Sequence, residues 1–390
     1  MVAIDKDIDK DDKDKGYRTS LAQVIEPEAL HRLGVSAPHT THCLPSGQLM
    51  ISCLGDETGA NKGTFLLIDP PNSSVPNNFT PSKLWSQEAV PFGYDYWYQP
   101  RHDVMVSTEW GAPRAFKQGF SLEHLKAGQY GSSLHFWQWS TGRRLQSLDL
   151  ATLVPGTCMP LEVRFLHQPA AAEGYVGCAL SGNVFRFFRD GNSWTAEEVI
   201  KIEGRPVSGW SLATTLPALI TDILLSLDDR FLYLSAWAFG EVRQYDISST
   251  TSKPQLTSVV RLGGIPATNP SVKVLKEEEE DDLPADQIFT EVKGIKLQAG
   301  AQMLQLSLDG ARLYVTNSLH SAWDRQFYPG VVDQGSQLLK IDVDITKGGK
   351  GKMTLDQDFV VDFGQGEPMG PALAHEMRYP GGDCTSDIWI

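Results

Sequence analysis

The sequence predicts an all-β chain folded as a β-propeller, on three observations. First, the chain matches itself once, clearly: Leu225-Ser-Leu-Asp-Asp-Arg-Phe-Leu-Tyr-Leu-Ser235 against Leu306-Ser-Leu-Asp-Gly-Ala-Arg-Leu-Tyr-Val-Thr316. Both read strand, tight turn, strand, because Asp-Asp-Arg and Asp-Gly-Ala tolerate turn geometry while Leu, Tyr, Val and Ser/Thr suit half-buried strands. Second, a strand signature follows such hairpins: Phe65-Leu-Leu-Ile-Asp69, Leu134-His-Phe-Trp-Gln-Trp139, Val184-Phe-Arg-Phe-Phe188, Val242-Arg-Gln-Tyr-Asp246 and Leu338-Leu-Lys-Ile-Asp342. Short strands in groups of about four cannot bury both faces alone, and stacking such groups around an axis is the propeller solution. Third, helical periodicity is scarce; Ser121 to Ala127 is the best short candidate, with Ser121 as cap ahead of Glu123.

Taken in order, residues 1–16 alternate acid and base with too little apolar surface to offset ordering entropy, and are expected to be disordered. Residues 17–390 read as a single propeller domain. A propeller closes by pairing strands from its two ends, since an open edge invites aggregation. The front of this chain offers only Tyr17 to Ile25 before Glu26 and Pro27, so the domain is expected to be incomplete at its front. Between the matched hairpins, Lys276 to Asp286 carries a like-charge run that reads as a solvated loop. The chain ends on Ile388-Trp389-Ile390, an apolar finish that calls for burial, directly after His375, Asp383, Cys384 and Asp387.

Composition removes several function classes. At 390 residues, 41% hydrophobic and 21% charged, the chain has ordinary globular composition. No apolar run reaches the roughly 18 residues of a membrane span, and no secretory leader pattern is present, so the cytosol is the expected compartment. Five cysteines, an odd number without paired spacing, argue against a disulfide framework. A formal charge of −14, with no dense Lys/Arg stripe, argues against nucleic acid as a partner. No nucleophile elbow, phosphate loop or dinucleotide glycine fingerprint occurs.

The candidate chemistry lies in scattered histidines, carboxylates and thiols. His39 and His42, in Pro38-His-Thr-Thr-His-Cys43, would point to opposite faces of a straight strand, but a bulge lets them converge. His102, His167 and His375 stand near strand ends, and a propeller brings such residues from separate blades to one channel. Singly, each is equally a hydrogen-bonded structural residue; together they suit copper, zinc or iron. Glu109 and Asp222 are carboxylates embedded in apolar sequence, whose burial costs several kcal/mol unless they are paired. Cys384, in Gly381-Gly-Asp-Cys-Thr-Ser-Asp387, reads either as a reactive thiol in a glycine-permitted turn or as a small buried side chain. The aromatics of Tyr94-Asp-Tyr-Trp-Tyr98 and Trp110 would wall a pocket or fill a blade.

The segments Pro38-His-Thr-Thr-His-Cys-Leu44, Gly93-Tyr-Asp-Tyr-Trp-Tyr-Gln-Pro-Arg-His102, Thr221 to Tyr233, Ser321-Ala-Trp-Asp-Arg-Gln-Phe-Tyr-Pro329 and the tail from Gly370 to Ile390 occur in this order in a family that the chain closely resembles. It is the selenium-binding protein family, also called methanethiol oxidases, and the resemblance runs from about Val24 to Ile390. It implies a seven-bladed propeller and oxidation of methanethiol by oxygen and water to formaldehyde, hydrogen sulfide and hydrogen peroxide. It further implies copper, selenium carried on a cysteine, a role in protein transport, and peripheral membrane and nuclear as well as cytosolic locations. Family members carry a cysteine-rich front segment where this chain has its acidic run, so no residue here inherits the selenium-linked cysteine. The resulting expectation is copper held by some of His39, His42, His102, His167 and His375, with Glu109 or Asp222 shuttling a proton and Cys384 as a secondary candidate. A selenium-binding, non-enzymatic scaffold and an inactive truncated fragment are the alternatives.

Overall fold

The two matched hairpins close on the same device. Ser226 Oγ donates to Asp228 Oδ1 at 2.6 Å and accepts the amides of Arg230 and Phe231 at 3.0 and 2.8 Å. Ser307 Oγ likewise donates to Asp309 Oδ1 at 2.6 Å and accepts the Arg312 amide at 2.9 Å. The next turn position is left-handed in both, Asp229 at φ 57° and Gly310 at φ 71°, which explains the Asp/Gly exchange between the copies.

The computed structural model describes residues 2–6, 17–72, 78–249, 252–275, 288–346, 348–349, 351–365, 370–377 and 379. Among these, five consecutive stretches each fold as a four-stranded antiparallel sheet in chain order. The first comprises Ser36–Cys43, Leu49–Gly55, Asn61–Asp69 and Thr80–Leu84; the second Tyr96–Gln99, Val104–Ser107, Ser133–Gln138 and Arg144–Asp149. The third comprises Pro160–Phe165, Glu173–Cys178, Asn183–Asp190 and Ser193–Lys201. The fourth runs through Ile220–Leu225, Phe231–Ala236, Glu241–Asp246 and Gln255–Leu262, with Ile288–Phe289 added in parallel, and the fifth through Leu304–Leu306, Arg312–Thr316, Gln337–Val343 and Met353–Asp362. Every signature segment picked out in the sequence falls on the third strand of a sheet.

The first strands of successive sheets face one another, which makes the assembly a β-propeller. His42 on the first sheet meets the Tyr96 carbonyl on the second at 3.2 Å. The Val163 amide on the third sheet donates at 3.0 Å to Asp95, just ahead of the second. Thr221 on the fourth donates to the Gln302 carbonyl, just ahead of the fifth, at 3.0 Å. Between neighbouring sheets the inward residues interdigitate: Phe136 of the second stacks on Trp194 of the third with centroids 4.8 Å apart and meets Phe187 of the third edge-on at 5.9 Å.

Short helices cap one end of the channel. Ser121 caps the helix Leu122–Lys126 through the amides of Glu123 and His124, as the sequence predicts. The helix Ser321–Phe327, beyond the second strand of the fifth sheet, reaches across to the second sheet's long excursion. Trp323 Nε1 donates to the Phe116 carbonyl at 2.9 Å, and the Gln326 amide brackets Phe120, accepting from its N–H at 2.7 Å and donating to its carbonyl at 2.8 Å.

The N-terminal run differs from its expectation of wholesale disorder over 1–16: Val2–Lys6 pairs antiparallel with Tyr17–Leu21, setting Asp5 opposite Arg18. Residues 7–16, the acidic run at 276–286 and the final ten residues with Asp383, Cys384, Trp389 and Ile390 lie outside the described residues. Among the described residues no helix is long and apolar enough to cross a membrane.

Phe187 is fully buried at the junction of the second and third sheets. Phe187→Ala should lower unfolding free energy by about 3–5 kcal/mol, since a cavity is added to the lost transfer energy. Urea titration checks it; a midpoint within error of the parent would show that the sheet junction is not tightly packed.

Candidate functional site

At the channel end, a cavity of about 760 Å³ opens among the first sheet, the excursions of the second and fifth sheets and the C-terminal segment. Its first wall is the bulged strand Ser36–Cys43. The register slips between Pro38 and Thr41, with Ala37 at φ 50°, and the slip brings both His39 and His42 to the cavity. The His39 ring lies 4.1 Å from the Tyr94 ring, and its Nδ1 meets Thr40 Oγ1 at 3.0 Å. Burial, reinforced by His375 and opposed by Asp95, pushes the His39 pKa down to about 4, so this imidazole is neutral over the working range.

Two further histidines complete the imidazole wall. His375 is pinned by Thr316, which donates to its carbonyl, and its Nδ1 meets the Ser318 carbonyl at 2.9 Å. His320, just before the helix Ser321–Phe327, has a buried Nδ1 with no hydrogen-bond partner, and burial lowers its pKa, with Asp324 opposing. The apolar side is Trp110 stacked on Phe116 at 4.0 Å, with Tyr94 edge-on to Trp110 at 5.6 Å.

The floor is ionic. Arg164 Nη1 donates to Asp95 Oδ2 at 2.7 Å and Nη2 to Glu162 Oε2 at 3.0 Å, while Asp222 Oδ1 stands 3.7 Å from Nη2. Asp222 Oδ2 accepts the Leu304 amide at 2.7 Å. All four side chains are buried, and the guanidinium lies over the Trp97 ring at 4.5 Å. Burial opposes the Asp95 charge, but Arg164, Glu162 and the Val163 amide outweigh it and hold its pKa below the ordinary range. Burial pushes Asp222 up to about 7 despite Arg164.

Of the residues anticipated from sequence, His39, His42 and His375 reach this cavity, and Asp222 lies beneath it. His102 and His167 are elsewhere: His102 meets the Ala170 carbonyl at 3.1 Å, and His167 faces the Leu225 carbonyl at 3.4 Å. Both sit in the turn between the first and second strands of their sheets, His102 in the second and His167 in the third. Glu109 is also outside it. Gly131, where a Cβ would lie 2.4 Å from Glu109, lets that carboxylate reach the Ser132 and Ser133 amides at 3.0 and 2.9 Å. Its other oxygen meets His135 at 3.0 Å, whose far nitrogen meets Ser147 at 2.8 Å, so the carboxylate is consumed in holding the second sheet. Cys384 lies outside the described residues.

Asp95, Glu162, Arg164 and His320 were not anticipated as site residues. A signal existed in Glu162-Val-Arg164: an acid and a base two apart on a strand share a face, and neither is ordinary strand filling in an apolar run. Among the described residues no three His, Cys, Asp or Glu side chains approach closely enough to hold one metal ion.

The family model for the 56 kDa selenium-binding protein matches residues 7–390. Methanethiol oxidase of Xenopus tropicalis is 51% identical over 370 residues, covering 94% of this chain and 75% of the relative. Methanethiol oxidase of Homo sapiens is 50% identical over 374 residues, covering 95% of this chain and 75% of the relative. The crystal structure of a hypothetical selenium-binding protein from Sulfolobus tokodaii superposes with a TM-score of 0.78 at 36% identity, over 99% of this chain and 77% of that one.

Asp222 supplies a pH test. Its folded pKa is raised from 3.8 to about 7, so its contribution to stability is fully present below the unfolded value and is lost as pH rises through the folded one. Asp222→Asn should therefore lose less stability than the parent between about pH 4 and about pH 8 in urea titrations; parallel pH dependences would refute the assignment.

Proposed function

We propose that this chain, which belongs to the 56 kDa selenium-binding protein family, is a methanethiol oxidase that converts methanethiol, oxygen and water to formaldehyde, hydrogen sulfide and hydrogen peroxide. The observation that carries the reading is the composition of one cavity: an aromatic wall opposite histidines, one of which has a buried nitrogen without a partner. A thiol has the two halves that such a cavity takes, an apolar methyl and a weak S–H donor. Trp110, Phe116 and Tyr94 offer the methyl group an apolar face and exclude water from it. His320 Nδ1 offers an acceptor whose desolvation cost is recovered when the thiol arrives. Neutral His39 places no positive charge in the cavity and stays available as a hydrogen-bonding wall.

A scaffold without enzymatic activity predicts histidines dispersed over separate faces. His39, His42, His320 and His375 share a cavity instead, which favours the enzyme. Because the described side chains do not assemble a three-ligand set, no step is routed through copper, and selenium is given no residue.

Purified protein incubated with methanethiol in oxygenated buffer should release formaldehyde, hydrogen sulfide and hydrogen peroxide in equal amounts; oxygen uptake without sulfide release would sink the reading. Trp110→Ala should raise KM on the order of tenfold through loss of apolar contact with the methyl group, with kcat changed less.

A further inference from the structure

The ionic floor holds more acid than its single guanidinium can neutralise. Asp95, Glu162 and Asp222 meet Arg164 in a buried volume, and full ionisation would leave two uncompensated negative charges there. Asp95 and Glu162 are held by the two terminal nitrogens of the same guanidinium, Nη1 and Nη2. Two carboxylates confined on one cation in a buried volume repel each other, and protonating one of them relieves that excess. Asp95 takes the shorter guanidinium contact, 2.7 Å, and the Val163 amide at 3.0 Å, which mark it as the ionised member. Glu162 is then the neutral acid, and of the two remaining carboxyls it is Glu162, not Asp222, that lines the cavity.

We propose that Glu162 is the carboxylic acid that protonates departing sulfur in this cavity, a role that rests on the oxidase reading above. Oxidation of methanethiol by oxygen gives thioformaldehyde and hydrogen peroxide, and water adds across the carbon–sulfur double bond to give mercaptomethanol. The remaining carbon–sulfur bond then breaks with its electron pair on sulfur. Glu162 delivers its proton to that sulfur, completing hydrogen sulfide, and its carboxylate takes the proton of the carbon-bound hydroxyl as formaldehyde forms. The acid is restored and atoms and charge balance. Asp95, kept charged by Arg164, raises the cost of ionising Glu162 and so keeps the acid protonated at the cavity floor.

The surroundings support a neutral acid. Burial first, then Asp95, hold Glu162 well above the ordinary carboxylate range, with Arg164 opposing and Asp222 adding to the rise. The other titratable groups turned toward the cluster are His42 from the first sheet, Tyr94 ahead of the second and Glu376 from the C-terminal segment.

Infrared difference spectra of the whole chain at neutral pH test the proton, and sulfide release tests the role. One protonated-carboxyl carbonyl band should vanish in Glu162→Gln and persist in Asp222→Asn, while a second, from Asp222, is lost in Asp222→Asn and fades as pH rises through about 7. In a single turnover Glu162→Gln should form peroxide at the parent rate while hydrogen sulfide release falls on the order of 100-fold and loses its decline at high pH. Loss of no band, or a Glu162→Gln protein with unchanged sulfide release and pH profile, overturns the proposal. Circular dichroism checks folding. If Glu162→Gln does not fold, Glu162→Asp, which withdraws the acid by one methylene, must slow sulfide release or the proposal falls. A parent chain that makes neither peroxide nor sulfide from methanethiol removes the oxidase reading and the catalytic role together, whereas the band reports the Glu162 proton independently of turnover.

Discussion

The contacts of Arg164 are the interaction on which the centre of the molecule depends. Its guanidinium is reached from the segment ahead of the second sheet through Asp95, from its own third sheet through Glu162 and from the fourth through Asp222, which in turn accepts a fifth-sheet amide at Leu304. Segments of three successive sheets thus meet one charge, and the fifth sheet is tied to it through Asp222. Apolar packing between sheets is non-directional and tolerates sliding, whereas these short, oriented bonds fix the rotation of each sheet about the axis. Removing the guanidinium would leave carboxylates buried and unmatched, a loss far larger than the net worth of any one ion pair.

The same charge arrangement divides the cavity into functional layers. Above it stand the histidines and the aromatic wall, with His39 kept uncharged by its burial. Below it, charge is dense but internally matched except for the proton that the surplus acid requires. A small apolar thiol therefore meets the aromatic face of Trp110 and Phe116 first and the clustered acids at the floor. That layering separates binding from proton movement without a mobile element.

Much of this was legible in the sequence, for reasons that depend on residue type. The hairpins at Leu225–Ser235 and Leu306–Thr316 announced themselves because Ser and Asp at fixed offsets build the same local hydrogen-bonded turn, whatever lies around them. The third-strand signature was visible at Phe65, Leu134 and Val242 because those strands are buried on both faces, and at Val184 and Leu338 because apolar residues recur on at least one face. The convergence of His39 and His42 followed from two histidines three apart beside a proline. What stayed hidden depends on blade order. Asp95 and Arg164 are 69 positions apart, and neither looks unusual until the rotation between sheets brings them together. His102, His167 and Glu109 illustrate the converse: a polar residue at a strand end is as readily consumed by a nearby carbonyl or amide as aimed at the axis.

The helical strap from Ser321 to Phe327 has a bearing on how the protein comes into being. Its bonds to Phe116 and Phe120 join residues 207 and 206 positions apart, a loop whose closure must wait for nearly everything between to be in place. On the ribosome the first three sheets can form and pack in order, each against its predecessor, while His39 and Glu162 are already in their strands. The cavity they line acquires its roof only when Trp323 and Gln326 have emerged and crossed the axis, and its last histidine arrives later still with His375. An emerging chain therefore carries its acid and its first imidazoles long before Trp323, Gln326 and His375 complete the chamber around them.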